Sequence, residues 1–177
     1  ELEESIREKI IYLERVEKES DLQKVVFREM KSRQLLTLNE KINNNFELCY
    51  GVLNLENILS EKTPILASNR LGIIIEEMNL KLERFEEPST IFIVAKNKED
   101  IPNTYQMTIP GGLFACIRYN GELLTSRSES LREILHHLDT NNYQITGDAL
   151  QIMHLDITIT DKPDEITFEI QVPVQKL

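Results

Sequence analysis

Three histidines and two cysteines hold the most reactive side-chain atoms of this 177-residue chain. His136 and His137 are adjacent in a stretch with helical spacing. Their rings therefore point about 100° apart and do not converge on one metal ion. His154 stands in a strand-like run. Cys49 and Cys116 lie in apolar segments, and Cys116 has no neighbouring base in sequence. Both read as small core hydrophobes in a reducing compartment rather than as a nucleophile or a disulfide. Gly111-Gly112 is not followed by a helix start, so it reads as a turn and not as a phosphate cradle. No G-x-S-x-G, H-E-x-x-H, Walker loop or C-x-x-C pattern occurs. These residues predict no enzyme, no metal and no cofactor.

The elements that would position any site are those of an ordinary globular domain. The chain is 41% hydrophobic and 28% charged, which fits one domain with a continuous core plus an appendage. No apolar run approaches the roughly 18 residues of a membrane span, and no basic-then-apolar leader is present. Cytoplasm is the expected location, without membrane contact. The formal charge of −10 repels phosphate backbones, so the chain is expected to bind nucleic acid poorly by itself and to attract cations. It begins at Glu1, without an initiator methionine, and reads as a fragment of a longer product.

Residues 1–22 read as one charged helix. Leu2, Ile6, Ile10, Leu13 and Val16 mark a narrow stripe, closer to a coiled-coil seam than to a globular face. Glu3-Arg7 and Glu14-Lys18 are attractive i,i+4 pairs, each worth a few tenths of a kcal/mol. Such a helix needs a partner, and a second copy of itself is the natural one. The alternative is packing back on its own domain. Beyond it, residues 25–30 and 34–39 read as a strand pair about a polar turn. A helix follows over 46–59, on the positions Phe46, Cys49, Val52, Leu53 and Ile58, with N-cap choices at Asn43-Asn44-Asn45. Strands are expected over 71–75 and 90–94, with an exposed charged loop over 81–87 between them.

The centre of the pattern is Tyr105 to Ile117, read as a hairpin about Pro110-Gly111-Gly112. A helix over 126–138 follows, opened by a Ser126-x-x-Glu129 capping box. Strands are expected over 150–160 and 167–172, with Pro173 in an edge-like place. The order is thus β-β-α-β-β, twice, in an α+β fold. Repeat one spans 23–96 and repeat two 104–175. Met30 and Met107, and Thr90 and Thr167, lie about 77 positions apart. Two such units, each an antiparallel sheet with a helix on one face, would meet about a pseudo-twofold axis and leave a cleft.

Residues 109–121, Ile-Pro-Gly-Gly-Leu-Phe-Ala-Cys-Ile-Arg-Tyr-Asn-Gly, then carry a resemblance. With Gly147-Asp148 before a strand and Glu169-Ile170-Gln171-Val172-Pro173-Val174 near the end, the chain resembles the GyrI-like (gyrase-inhibitor-like) effector-binding domain of MerR-family, multidrug-sensing transcription activators. The resemblance implies that residues 1–22 form the family's dimerisation helix and 23–177 its effector-binding domain. DNA would be bound only by a winged helix-turn-helix domain absent from this chain. It also implies a cleft that takes flat, apolar, often cationic aromatic compounds, with a buried acid at its base. Here that position falls on Gln151, a neutral residue, and Glu169 is the nearby alternative. Met153 shares a face with Gln151 by the period-two rule. Tyr119, Phe114, Ile166 and Phe46 complete the candidate lining. Gly121 and Ile166 stand where aromatics would be expected, which implies a roomier, more aliphatic pocket. The alternatives are a GyrI-like hydrolase and a structural dimerisation module.

Overall fold

The computed structural model describes residues 7, 10, 11, 14, 22–59, 71–94, 102–155 and 162–177. Residues 7, 10, 11 and 14 are helical; Leu22, the last residue of the expected leading helix, instead forms an isolated bridge with Arg118, and the remaining residues of that helix lie outside the described residues. The strands are β1 (Val26–Met30), β2 (Arg33–Ile42), β3 (Leu71–Ile75), β4 (Ser89–Val94), β5 (Gln106–Ile109), β6 (Gly112–Asn120), β7 (Tyr143–Ile145), β8 (Ala149–Leu155) and β9 (Thr167–Lys176). The helices are α1 (Asn45–Leu59), α2 (Glu77–Lys81) and α3 (Arg127–Thr140).

These strands pair antiparallel, in the order β1-β6-β9-β8-β3-β4-β2-β5, with β7 on β9. The two expected hairpins do not form. β1 pairs with β6, Met30 opposite Gly112, and β2 pairs with β5, Arg33 opposite Ile109. Each reverse turn sends its two arms to different ends of the sheet, so the two connections cross. Turn chemistry reverses a chain but does not choose the partner of either arm. Exchanging β1 with β5, β2 with β6, β3 with β8 and β4 with β9 reproduces the same order read backwards.

Period-two alternation sorts the side chains onto two faces. On the helix-bearing face, Ile117, Tyr119, Phe168, Ile170 and Val172 meet Leu131, Ile134 and Leu138 of α3. Leu36, Leu38, Ile91 and Ile93 meet Leu55 of α1. The other face is closed by Leu35, Ile74, Phe92, Ile109, Phe114, Cys116, Leu150 and Ile152. Each fully buried side chain of this kind contributes about 1.5–3 kcal/mol.

Several local expectations change. In α1, Leu48, Val52 and Leu55 turn inward, whereas Phe46, Cys49 and Leu53 are exposed. The helix carries two apolar stripes. Gly51 is buried beside Ile91, on the side of the inward stripe. Asn44 caps the helix: its Oδ1 accepts the Glu47 N–H at 2.9 Å, and the Glu47 carboxylate accepts the Asn43 N–H at 2.6 Å. Ser126 makes no such cap; its Oγ accepts the Glu122 N–H instead. The expected loop over 81–87 begins in α2 and buries Phe85, which shares the apolar cluster with Leu80. Pro173 lies on an interior strand, opposite Phe114. There β9 passes from β8 to β7, and the Pro173 carbonyl accepts the Thr146 N–H. Residues 156–160, the end of an expected strand, lie outside the described residues.

Candidate ligand-binding site

The centre of the sheet is the β3–β8 pair, where Ile73 faces Gln151. Gln151 is fully buried. Its Nε2 donates to the Leu123 carbonyl at 2.7 Å and to the Tyr119 hydroxyl. Its Oε1 is buried without a hydrogen-bond partner among the described residues. An unmatched buried acceptor of this kind costs about 1–3 kcal/mol, which a donor placed against it would recover. Tyr119 stacks on Phe168 at 5.4 Å, and Met153 and Ile166 join the same cluster. Burial pushes the Tyr119 hydroxyl pKa up, against Arg127 and the Gln151 hydrogen bond.

Arg127, at the first turn of α3, is also buried on this face. Its Nε donates to the Phe85 carbonyl at 2.7 Å, Nη1 to Ser89 Oγ at 3.1 Å and Nη2 to the Glu87 carbonyl at 3.1 Å. Burial pushes its pKa down, against Tyr119 and Glu86. The centre thus holds a guanidinium beside an amide and a phenol, with the Glu86 carboxylate acting on it. Asp148 of the Gly147-Asp148 pair accepts the Glu77 N–H at 2.8 Å, tying the start of β8 to α2.

Of the expected lining residues, Gln151, Met153, Tyr119 and Ile166 are thus brought together. Phe46 stands apart on α1. With Tyr50, Ile42, Ile91 and Lys41 it lines a cavity of about 150 Å³, and its own side chain is 82% exposed. Phe114 and Glu169 lie on the opposite face of the sheet. A second cavity, of about 420 Å³, is lined there by Phe114, Ile109, Pro110, Gly112, Pro173 and their neighbours. Gln151, Met153 and Tyr119 line neither of the two.

Glu169 is the centre of a separate polar cluster. Its carboxylate accepts Arg118 Nε at 2.7 Å, Arg28 Nη1 at 3.2 Å and Gln171 Nε2 at 2.7 Å, with His154 Nε2 at 3.4 Å. Burial alone would push its carboxyl pKa up; His154, Gln171 and Arg118 outweigh that and hold it well below the usual carboxylate range. The sequence reading missed this cluster because Arg28, Arg118 and His154 come from three other strands. The direct Arg118–Glu169 register pair is its one cross-strand signature. Cys116, on the same face, is buried, and burial pushes its thiol up to about 12. Cys49 is exposed rather than a core residue, and both thiols are free.

Among the described residues, no group of three or more His, Cys, Asp or Glu could hold a metal ion. No helix there is long and apolar enough to cross a membrane.

No protein-family model and no curated protein matches the sequence. The fold, however, is shared with solved structures. The C-terminal domain of EcmrR has a TM-score of 0.63 at 15% identity, over 87% of this chain and 98% of that one. In the EcmrR–DNA complex the match has a TM-score of 0.64 at 13% identity, over 99% of this chain and 67% of that one. SAV2435, solved bound to tetraphenylphosphonium, matches with a TM-score of 0.57 at 16% identity, over 86% of this chain and 94% of its own. A hydrolase encoded by lin2189 from Listeria innocua matches with a TM-score of 0.57 at 11% identity, over 93% of this chain and 98% of that one. At such identities the likeness is one of fold.

Proposed function

We propose that this chain is the ligand-sensing part of a cytoplasmic MerR-type transcription regulator and not an enzyme. In this reading residues 23–177 bind a small apolar aromatic effector between two β-β-α-β-β repeats. Residues 1–22 pair with a second copy, and a DNA-binding domain outside this chain carries the response. The observation that carries the reading is Gln151: a buried amide with an unmatched Oε1, on the central strand pair of a fold shared with a protein solved bound to tetraphenylphosphonium. The strand order supports the two repeats, and so do the registers. Leu35–Val94 and Leu36–Ile93 correspond to Phe114–Pro173 and Ala115–Val172, a displacement of 79 positions rather than about 77. Ile10, 52% exposed on the single chain, fits a helix awaiting a partner. The signal has a short route outward: the Arg118 carbonyl of β6 accepts the Gln23 N–H at 2.7 Å, where the leading segment joins the sheet. A Cys116 thiol held at about 12 is protonated at neutral pH, which favours binding over nucleophilic catalysis.

With a neutral amide as the contact group and Arg127 acting on the adjoining Tyr119, the preferred effector is neutral and donates an O–H or N–H to Gln151 Oε1. Isothermal titration with triphenylmethanol and with tetraphenylphosphonium tests this. The neutral alcohol binds the wild type more tightly, and Gln151→Glu shifts the preference toward the cation by about tenfold or more. Binding of both compounds unaffected by Gln151→Glu and Gln151→Leu would remove the site.

A further inference from the structure

We propose a second binding site, for a small oxyanion, on the sheet face opposite the helices, with Arg33 as its recognition group. The chain carries a net charge of −10, yet this face gathers Arg28, Arg33, Arg118 and His154 about the carboxylate of Glu169. Histidine aside, three guanidiniums meet one carboxylate among these groups. The cluster is built rather than incidental. Glu169 is 1% exposed, Gln171 5%, His154 6% and Arg118 9%.

Glu169 is saturated by Arg118, Arg28 and Gln171. The excess charge therefore sits at Arg33. Its Nη1 donates to Gln171 Oε1 at 2.5 Å. That bond spends Gln171 as a relay, since the Gln171 amide nitrogen is already on Glu169. Nε and Nη2 of Arg33 are buried and have no hydrogen-bond partner among the described residues. These two N–H groups share one edge of the guanidinium fork, the edge that takes two oxygens of a carboxylate or phosphate side by side. Burial of Arg33 lowers its pKa, against Cys116 and Glu169, so a bound anion would offset a desolvated charge.

Two side chains adjoin this guanidinium. Its carbon lies 5.2 Å from the Phe114 ring centre, and Arg33 faces Ile109 across β2 and β5. Phe114 and Ile109 both line the cavity of about 420 Å³, so that cavity reaches the neighbours of Arg33, though not Arg33 itself. The one carboxylate lining that cavity, Asp148, is committed to the Glu77 N–H. The class of ligand is a small organic carboxylate or a phosphate. This site uses neither Gln151 nor the helix-bearing face, so it stands or falls separately from the sensor reading.

The test is titration of the intact chain at neutral pH with inorganic phosphate and, separately, with benzoate, at ionic strength held constant with sodium chloride. Calorimetry and the melting temperature are both read. Saturable binding of either anion is expected, raising the melting temperature beyond the chloride control. Phosphate alone, benzoate alone, or both identifies which oxyanion the site takes. Arg33→Gln weakens that binding by about tenfold or more, and so does Arg33→Lys, which keeps the charge and loses the fork. Arg132→Gln, at an exposed arginine elsewhere, leaves it unchanged. No saturable binding of either anion overturns the proposal, and so does binding unchanged in both Arg33 variants.

Discussion

Gly111 lies against Met30: a methyl group on its α-carbon would sit 2.8 Å from the Met30 carbonyl oxygen and 2.9 Å from the Ser32 nitrogen. These two residues mark where the two connections cross backbone to backbone. The crossing holds β1 on β6 and β2 on β5, and with them the strand order that places Gln151 at the centre.

Gly111→Ala is therefore expected to destabilise by about 3 kcal/mol, since backbone and not a flexible side chain must move. Gly112, at φ +151°, has open space where a methyl group would stand, with nothing within 4 Å of it. Gly112→Ala thus meets only backbone strain of about 1 kcal/mol. Urea unfolding measures both. A Gly111→Ala protein as stable as the wild type would mean that the connections do not touch.

Glu169 links stability to pH. Its folded pKa lies below its unfolded value, so its contribution is full above an unfolded pKa of about 4.3. It is lost as the pH falls through that value toward the folded one. Glu169→Gln leaves Arg118 and Arg28 facing a neutral group and is expected to cost about 3 kcal/mol at neutral pH. Between about pH 6 and pH 3 the variant should lose less stability than the wild type. Parallel slopes for the two proteins would show that the carboxylate is not held ionised by its neighbours.

Arg127 ties α3 to the segment between α2 and β4 through three oxygens. Arg127→Leu strands the buried Phe85 carbonyl, while the Glu87 carbonyl keeps the Ser89 hydroxyl as a donor, at about 1–3 kcal/mol in total. Hydrogen exchange should accelerate first in residues 85–89. Arg127→Lys should recover only part of the loss, because one ammonium cannot span the three acceptors. Uniform acceleration across the sheet would instead mark a purely global effect.

The two thiols should differ sharply. Cys49 is exposed, whereas Cys116 is buried and its thiol is raised to about 12. A disulfide reagent at neutral pH should label Cys49 at once and Cys116 about a thousandfold more slowly, on unfolding. Mass spectrometry after Cys49→Ser reads the Cys116 rate alone. Rapid labelling there would mean that the face opposite the helices opens readily.

The spans of α1 and α3, the alternation of Phe168, Ile170 and Val172, and the reversal at Pro110-Gly111 were legible in the residues. Each is set by neighbours a few positions away, through capping, periodicity and turn chemistry. Gln151, Met153, Tyr119 and Ile166 could likewise be placed on candidate lists by period and resemblance. The tertiary structure alone decided their company, joining these four on one face and sending Phe114 and Glu169 to the other. It also exposed Cys49, buried Phe85 and exchanged the arms of the two reverse turns. The contacts concerned are long-range: Arg28 and Glu169 are separated by 141 positions. Alternation states which side chains of a strand share a face, but not which strand lies beside it. That choice is made by the pairing of all edges and the burial of both faces at once, and no local stretch contains it.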